Sequence, residues 1–435
     1  MNTWLIQGGH VIDPANHWDD EADIWIQEGV IKKVGKHLKI STDKVIEAKN
    51  KLVVPGLVDM HVHLREPGFE YKETIKTGTQ AAVAGGVTSV ACMPNTNPPI
   101  DDQAIVHFIH HKASEEGFCH VYPIGCISKQ RQGQEMAEIG ELKKAGVVAL
   151  SDDGSPVMNS ELMRRVMEYA REQDLTIIDH CEDLHLSNEG VIYEGSTSLR
   201  LGLRGIPAIS ETIMVSRNIL LAEMTGARFH VAHLSTAGSV ELVRQAKRKG
   251  LAVTAETAPH YWTLSDQFIK TYNTHFKMKP PLGSEADVAA IRKGIQDGVI
   301  DCLATDHAPH ASTEKQCEFE LAAFGIVGLE TLFPLTYTHL VEPQVISLSK
   351  AIEMLTINPA KVLGISKGTL SEGAEADVTI FDIKTSQKVD VSQFKSKGRN
   401  SPFNGWELRG WPMITMVQGH IRYQHPQFHI KGYQL

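Results

Sequence analysis

Two histidines separated by one residue, in the segment 57–65 (LVDMHVHLR), form the part of the chain best suited to chemistry. An apolar run over residues 52–57 leads into this pair, which is typical of a buried parallel strand. Because side chains alternate along a strand, His61 and His63 project to the same face near its C-terminal end. Two neutral imidazoles that converge in this way can begin a metal site, although such a pair by itself also occurs in structural roles.

Other residue types that bind metals follow further apolar runs. His180 and His233 end the fifth and sixth runs, an Asp152-Asp153 pair follows the fourth, and Asp306 follows the eighth. If the runs are strands of one parallel barrel, these side chains meet at its C-terminal end. Four imidazoles and two carboxylates suit one or two zinc-like ions, which lower the pKa of bound water from 15.7 to about 7. The pattern indicates hydrolysis, most naturally of an amide.

The middle of the chain alternates between strand and helix patterns. Eight apolar, β-branched runs end near residues 63, 93, 125, 151, 180, 233, 255 and 305, and helical patterns cover 160–172, 209–224 and 239–249. Eight strand–helix units predict an α/β protein with a (β/α)8 TIM barrel. A doubly wound open sheet is the alternative, and the lack of a GxGxxG segment after the first strand weakens it.

Both ends of the chain have the sequence pattern of short strands joined by tight turns. Glycine-containing turns are expected at 8–9, 28–29 and 418–419. We therefore predict a small β-sandwich domain built from both termini, residues 1–54 and 366–435, around a metal-dependent barrel over 55–365.

The bulk properties exclude several function classes. A net charge of −9 and a pI near 6.2 argue against nucleic acid or an anionic membrane surface as the main partner. No apolar stretch approaches the ~20 residues of a membrane span, and the N-terminal residues lack the features of a signal peptide. Six cysteines without a CxxC pair suit reduced thiols. We expect a cytoplasmic enzyme.

Four segments closely resemble the amidohydrolase superfamily and, within it, the dihydroorotase family of the long bacterial class. They are residues 61–68 (HVHLREPG), 93–98 (MPNTNP), 202–207 (GLRGIP) and 305–310 (TDHAPH), and residues 401–405 (SPFNG) resemble the closing segment of that family. The resemblance implies reversible hydrolysis of L-dihydroorotate to N-carbamoyl-L-aspartate in de novo pyrimidine (UMP) biosynthesis. It also implies a metal-bound hydroxide as nucleophile and Asp306 as general acid/base.

The resemblance further assigns roles to individual positions. His61 and His63 would bind the more buried of one or two Zn2+ ions with Asp306 nearby, His180 and His233 the second, and Asp153 would stand between them. The residues implied to contact the substrate are Arg65, Asn95, Lys279, His310, Phe324 and Gly325. An anionic substrate suits an Arg fork, and a planar imide edge suits backbone donors and acceptors.

Two departures from the family pattern matter. Many members of the superfamily bridge two metals with a carboxylated lysine after the fourth strand, but no lysine lies in 147–154. The resemblance implies that Asp153 serves there, as in the long bacterial class, and the metal number stays open. Lys279 stands where the family has an asparagine, in 278–283 (MKPPLG), so it either pairs with the substrate carboxylate or points to solvent.

Alternative functions stay open at this point. One is another cyclic amidase of the hydantoinase, allantoinase or dihydropyrimidinase kind, whose substrates lack the ring carboxylate that Arg65 and Asn95 would bind. The other is a partner-dependent or silent subunit for aspartate transcarbamoylase, although silent relatives usually lose metal ligands and this chain keeps all six. The expected partners are a small-molecule substrate and, as a homodimer, a second copy of the chain.

Overall fold

The computed structural model describes residues 3–42 and 44–430. The remaining parts of the predicted terminal domain, residues 1–2, 43 and 431–435, lie outside the described residues. Among the residues that are described, no helix has both the length and the apolar character needed to cross a bilayer.

Eight parallel strands form a closed ring. In chain order, β1 to β8 are Leu57–Val62, Val87–Cys92, His120–Pro123, Ala149–Leu150, Thr176–Asp179, Phe229–Val231, Val253–Thr257 and Cys302–Leu303. The first three strands pair in one sheet and the last five in another. Parallel bridges from Gly125 to Leu150 and from Val62 to His307 join the two sheets and close the barrel. Each strand ends within two residues of its predicted position, and the predicted (β/α)8 fold class is confirmed.

Helices surround the ring. The longer ones, α1 to α8, are Ile75–Ala84, Gln103–Glu116, Ile139–Ala145, Ser160–Glu172, Ile209–Thr225, Ala237–Arg248, Glu285–Gln296 and Leu348–Leu355. The other α-helices are Leu184–Ser187, Ser196–Leu201, Pro259–Thr263, Ser312–Lys315, Leu332–Thr336 and Ile357–Leu363. The predicted helix over 160–172 coincides with α4. Its start is fixed by Asn159, whose side-chain oxygen accepts hydrogen bonds from the first turn. Its buried residues, at 163, 166, 167 and 170, follow the helical period.

The two ends of the chain form one eight-stranded sheet. Its strands are Thr3–Asp13, Trp18–Gln27, Val30–Gly35, Val45–Glu47, Leu52–Pro55, Val378–Asp382, Trp411–Val417 and His420–Gln424. The strand 378–382 lies between 52–55 and 411–417, so the N-terminal and C-terminal parts share a single sheet. Two-residue strands pair outside it, Ile192–Tyr193 with Gly205–Ile206 and Gln387–Lys388 with Glu407–Leu408. The boundaries at 54/55 and 365/366 stay a prediction.

The turn that we predicted at Gly8-Gly9 is wrong. Residues 3–13 form one continuous strand whose pairing register shifts between Ile6 and Gly9. The extra residue is absorbed as a β-bulge, in which Gly8 adopts φ +67° and donates its N–H to Asp23 Oδ1 at 2.8 Å. The predicted turns at 28–29 and 418–419 do join paired strands.

A stacked pair of aromatic rings fixes the sheet against the barrel. Phe381 of the strand 378–382 and Phe333 of the helix 332–336 are both fully buried, with ring centroids 4.0 Å apart and planes inclined by 28°. Gly86, at φ +86° just before β2, makes room for this pair, since a Cβ there would lie 2.7 Å from Phe381 Cζ. The close approach requires a glycine.

We expect Phe381→Ala to lower the free energy of unfolding by about 3–5 kcal/mol, because it removes a fully buried ring and leaves a cavity between sheet and barrel. Chemical denaturation followed by circular dichroism measures this change. The matched control is Phe108→Ala on α2, whose side chain is 39% exposed and whose loss should cost far less. Equal effects of the two substitutions would contradict this account of the contact.

Candidate metal centre

The barrel brings all six predicted ligands to one end. His61 lies in β1 and His63 directly after it, and the other four residues follow β4, β5, β6 and β8. All six are buried, with at most 5% of any of them exposed. The full set is His61, His63, Asp153, His180, His233 and Asp306.

Asp153 lies between the histidines. Its Oδ1 is 3.5 Å from both His61 Nε2 and His233 Nε2 and 3.7 Å from His180 Nδ1, and its Oδ2 is 3.6 Å from His63 Nε2. One carboxylate therefore faces four imidazole nitrogens. This is the position that a ligand shared between two ions would need.

Asp306 faces the same space from β8. Its Oδ1 lies 3.1 Å from His63 Nε2 and 3.5 Å from His61 Nε2. Three overlapping groups have ligand atoms within 4.8 Å of one another: His61–His233–Asp306, His61–His63–Asp153 and Asp153–His180–His233.

The two central carboxylates are held in their charged form. Burial alone would raise the pKa of Asp153, but contacts with His180, His233 and His61 lower it well below its usual range. Burial would likewise raise the pKa of Asp306, and His61 and His63 lower it instead. Ionised carboxylates beside imidazole nitrogens are the donor types that zinc binds.

The residues present fit a metal. His61 Nε2 and Asp153 Oδ1 are buried and make no hydrogen bond within the described structure. Meanwhile the other nitrogen of three histidines is hydrogen-bonded on the side away from the centre. His61 Nδ1 lies 2.5 Å from Glu256, His63 Nδ1 lies 2.8 Å from Asn95 Oδ1, and His180 Nε2 lies 2.9 Å from Glu182. Metal-binding histidines are typically oriented by such partners.

The backbone at the strand ends is strained. Arg65, His233 and Asp306 adopt φ of +63°, +32° and +46°, in the left-handed region that non-glycine residues rarely occupy. Such conformations cost about 1–3 kcal/mol each and cluster at functional sites.

Below the site, Asp59 accepts hydrogen bonds from the Thr305 hydroxyl at 2.5 Å and from the N–H of His61 at 3.1 Å. Asp59 thus joins β1 to the segment that carries Asp306.

Asp152 and Asp153 have different surroundings. Asp152 faces away from the histidines and accepts hydrogen bonds from the N–H of Ile127 and from Ser128. Asp152 therefore orders the segment after β3, while Asp153 faces the centre.

A cavity of about 170 Å³ opens above the centre. Five of the six ligands line it, all but His61, and all six predicted substrate residues line it too: Arg65, Asn95, Lys279, His310, Phe324 and Gly325.

Three of these six have well-defined surroundings. Arg65 is 9% exposed and its Nε donates to the carbonyl of Pro309 at 3.3 Å. Asn95 uses its side-chain oxygen on His63, which leaves its amide N–H groups as donors. Burial and the charge of Arg65 lower the pKa of His310 to about 2, so this imidazole is neutral.

The backbone around Phe324 and Gly325 already has internal partners. The Phe324 carbonyl accepts from His310 Nε2 at 2.8 Å, and the Gly325 N–H donates to the Lys277 carbonyl at 3.0 Å. The Gly325 carbonyl accepts from Asn400 Nδ2 at 3.0 Å. Since a carbonyl oxygen has a second lone pair, a contact with substrate here stays a prediction.

Sequence reasoning missed three buried carboxylates around the centre. Glu256, beneath His61, belongs to β7, and a charged residue inside an otherwise apolar strand was the signal that could have shown it. Glu182 follows His180 by two residues, and Asp59 precedes His61 by two. Period-two spacing from a ligand was the available signal for both.

Comparison with known proteins agrees with this geometry. The amidohydrolase family model matches residues 221–423, and the dihydro-orotase-like family model matches residues 50–239. Among solved structures, the L-hydantoinase (dihydropyrimidinase) of Arthrobacter aurescens superposes with a TM-score of 0.89, at 25% identity over 98% of this chain and 97% of that one. The dihydropyrimidinase of Brevibacillus agri gives a TM-score of 0.86 at 21% identity, over 98% and 96% of the two chains. Fold and site define an amidohydrolase.

Curated relatives narrow the assignment. The chain is 52% identical to the dihydroorotase of Acetivibrio thermocellus, over 96% of this chain and 98% of that protein. It is 54% identical to the dihydroorotase of Pelotomaculum thermopropionicum, over 96% and 97%. The chain belongs to the dihydroorotase family.

The two neighbouring aspartates provide a test of the centre. We expect Asp153→Asn to weaken metal binding by more than tenfold, since loss of even a partner of a ligand costs about 10–100-fold. Asp152→Asn should keep the metal and instead lower the free energy of unfolding by about 1.5–3 kcal/mol, because it disturbs buried hydrogen bonds to a charged group. Metal content by elemental analysis and chemical denaturation separate the two effects. Loss of metal in Asp152→Asn alone would reverse the assignment.

Proposed function

We propose that the chain is a zinc-dependent dihydroorotase that interconverts L-dihydroorotate and N-carbamoyl-L-aspartate in pyrimidine biosynthesis. The observation that carries this proposal is one cavity that contains both the metal centre and a buried group for a carboxylate. That group consists of Arg65, Asn95 and His310 beside the ligands. A ring amide with a carboxylate attached to the ring meets both requirements.

The ligand roles follow from the distances. His61 and His63 would hold one ion with Asp306, His180 and His233 would hold a second, and Asp153 would bridge them. A zinc ion bound there lowers the pKa of a coordinated water towards neutrality and polarises a carbonyl oxygen. The mixed imidazole and carboxylate donors suit zinc, and the geometry accommodates one ion or two.

Substrate binding would depend on charge at one end of the cavity. The Arg65 guanidinium is buried and offers N–H groups in the fork geometry that matches a carboxylate. The amide N–H groups of Asn95 would add hydrogen bonds at the same end, His310 would lie against it, and Phe324 and Gly325 would lie along the ring. Such contacts hold the scissile amide over the centre and reduce the entropy cost of reaction.

Proton transfer is assigned to Asp306. Its carboxylate is ionised and lies at the edge of the cavity beside His63, so an oxygen of Asp306 can accept a proton from the attacking water. The same oxygen then returns the proton to the departing ring nitrogen.

The closest alternative is an amidase for hydantoin or dihydrouracil, because solved hydantoinases share the fold. Those rings lack the carboxylate that the Arg65 end of the cavity would bind. A silent subunit is a second alternative, but all six ligands are present and face one space. We further propose a cytoplasmic homodimer, with aspartate transcarbamoylase as the partner to test.

The purified, zinc-loaded chain should hydrolyse dihydroorotate and be much slower with dihydrouracil and hydantoin. A spectrophotometric assay of all three substrates measures this selectivity. Preference for an uncharged ring would favour the hydantoinase-like alternative. Inactivity towards all three would favour a partner-dependent or silent subunit, and the assay would then be repeated with aspartate transcarbamoylase added.

We expect Asp306→Asn to reduce kcat for dihydroorotate by about 10²–10⁴-fold, which is the range that a positioned acid/base contributes. Most of the metal should remain, because Asp306 would contact one ion only, whereas Asp153 would lie between two. Asp297→Asn is the control, since this exposed carboxylate pairs with Arg244 outside the barrel. Turnover near that of the unmodified chain in Asp306→Asn would remove Asp306 from this role.

A further inference from the structure

Glu182 differs from the other partners of the ligand histidines. Its Oε2 accepts from His180 Nε2 at 2.9 Å, while its Oε1 lies 2.9 Å from Lys279 Nζ. Only 6% of the Glu182 side chain is exposed, whereas 28% of the Lys279 side chain is. A continuous polar path therefore runs from the wall of the substrate cavity to a ligand of the metal centre.

A small cavity adjoins the pair of Glu182 and Lys279. This second, narrow cavity of about 20 Å³, which is room for about one water molecule, lies on the other side of this pair, and Glu182, His180 and Lys279 all line it. A side chain beside empty space can take another rotamer unless a directional contact prevents it. The ion pair with Lys279 acts on Oε1, the oxygen that His180 does not use and that makes no hydrogen bond within the described structure.

The charged groups around Glu182 also indicate that Lys279 holds its carboxylate in place. Both carboxylate oxygens of Glu182 face a nitrogen, Oε2 that of His180 Nε2 and Oε1 that of Lys279 Nζ, each at 2.9 Å. By contrast, Glu256, which orients His61, lies entirely inside the barrel and contacts His230 at 3.4 Å. Of these two carboxylates, Glu182 is the one that pairs with a residue at the cavity wall.

We propose that Lys279 is a positioning residue for His180, acting through Glu182. Lys279 keeps the Glu182 carboxylate oriented towards His180 Nε2, and His180 in turn keeps Nδ1 directed at Asp153 and His233, which lie 3.7 Å and 2.8 Å from it. An asparagine in place of Lys279 could not balance the charge of Glu182. This inference rests on the proposed function only for the presence of a metal centre.

Metal release provides the test, without any substrate. The variants are Lys279→Met, Lys279→Asn, Lys279→Arg and Glu182→Gln, each loaded with Zn2+ and mixed with a chelator. Removing a partner of a metal ligand typically weakens binding by about 10–100-fold. We therefore expect Zn2+ to leave the Met, Asn and Gln variants at least about tenfold faster, and Lys279→Arg to remain close to the unmodified protein.

Two further measurements separate positioning from general destabilisation. Co2+-loaded protein should show a changed visible spectrum in the Met, Asn and Gln variants, because the geometry around His180 changes. Lys350→Met is the matched control, since Lys350 pairs with Glu353 at the same 2.9 Å and is 34% exposed on α8. Its metal release and spectrum should equal those of the unmodified protein.

Unchanged Zn2+ release and an unchanged Co2+ spectrum in Lys279→Met and Lys279→Asn would overturn the inference. If KM for dihydroorotate then rose, Lys279 would act on the substrate alone. Conversely, faster release in a chain that never hydrolyses dihydroorotate would support the inference while the proposed function failed. The two proposals can therefore fail separately.

Discussion

The metal centre depends on closure of the barrel between its first and last strands. His61 and His63 come from β1 and Asp306 follows β8, so these ligands meet only if the two strands lie side by side. The bridge from Val62 to His307 and the hydrogen bond from the His63 N–H to the His307 carbonyl, at 2.9 Å, join them above. Asp59 joins them below through Thr305. A one-residue shift in this register would move His61 and His63 to the wrong face.

Closure of the barrel buries several charged side chains, and each of them has a hydrogen-bond or ion-pair partner close by. Burying an isolated carboxylate costs far more than a protein can supply, so buried carboxylates need partners. Glu256 is an example, because burial would raise its pKa while His61 and His230 lower it to about 2. The same contact that makes Glu256 tolerable also fixes the orientation of His61. The same hydrogen bonds therefore stabilise the fold and orient the side chains of the ligands.

The terminal segments also contribute to the site. Asn400, in the segment that returns to the terminal sheet, is 2% exposed and bonds to backbone groups of Ala308, His310 and Gly325 at 2.9–3.1 Å. Ser396 donates to Glu73, which lies 3.4 Å from His307 beside Asp306. The C-terminal part of the chain therefore supports the wall of the cavity formed after β8, in addition to covering the barrel.

The sequence by itself determined the elements and the direction of most site residues. Period-two alternation placed His61 and His63 on one face, and a helical period with an asparagine cap defined α4 from end to end. Only the tertiary structure determined the contacts of these side chains, because those contacts join residues that are far apart in the chain. It directed Asp153, and not Asp152, to the centre, through hydrogen bonds between Asp152 and the segment after β3. It placed Glu256 under His61, 195 residues earlier, and Lys279 against Glu182. Local patterns specify which face a side chain occupies, whereas closure of the barrel specifies what it meets there.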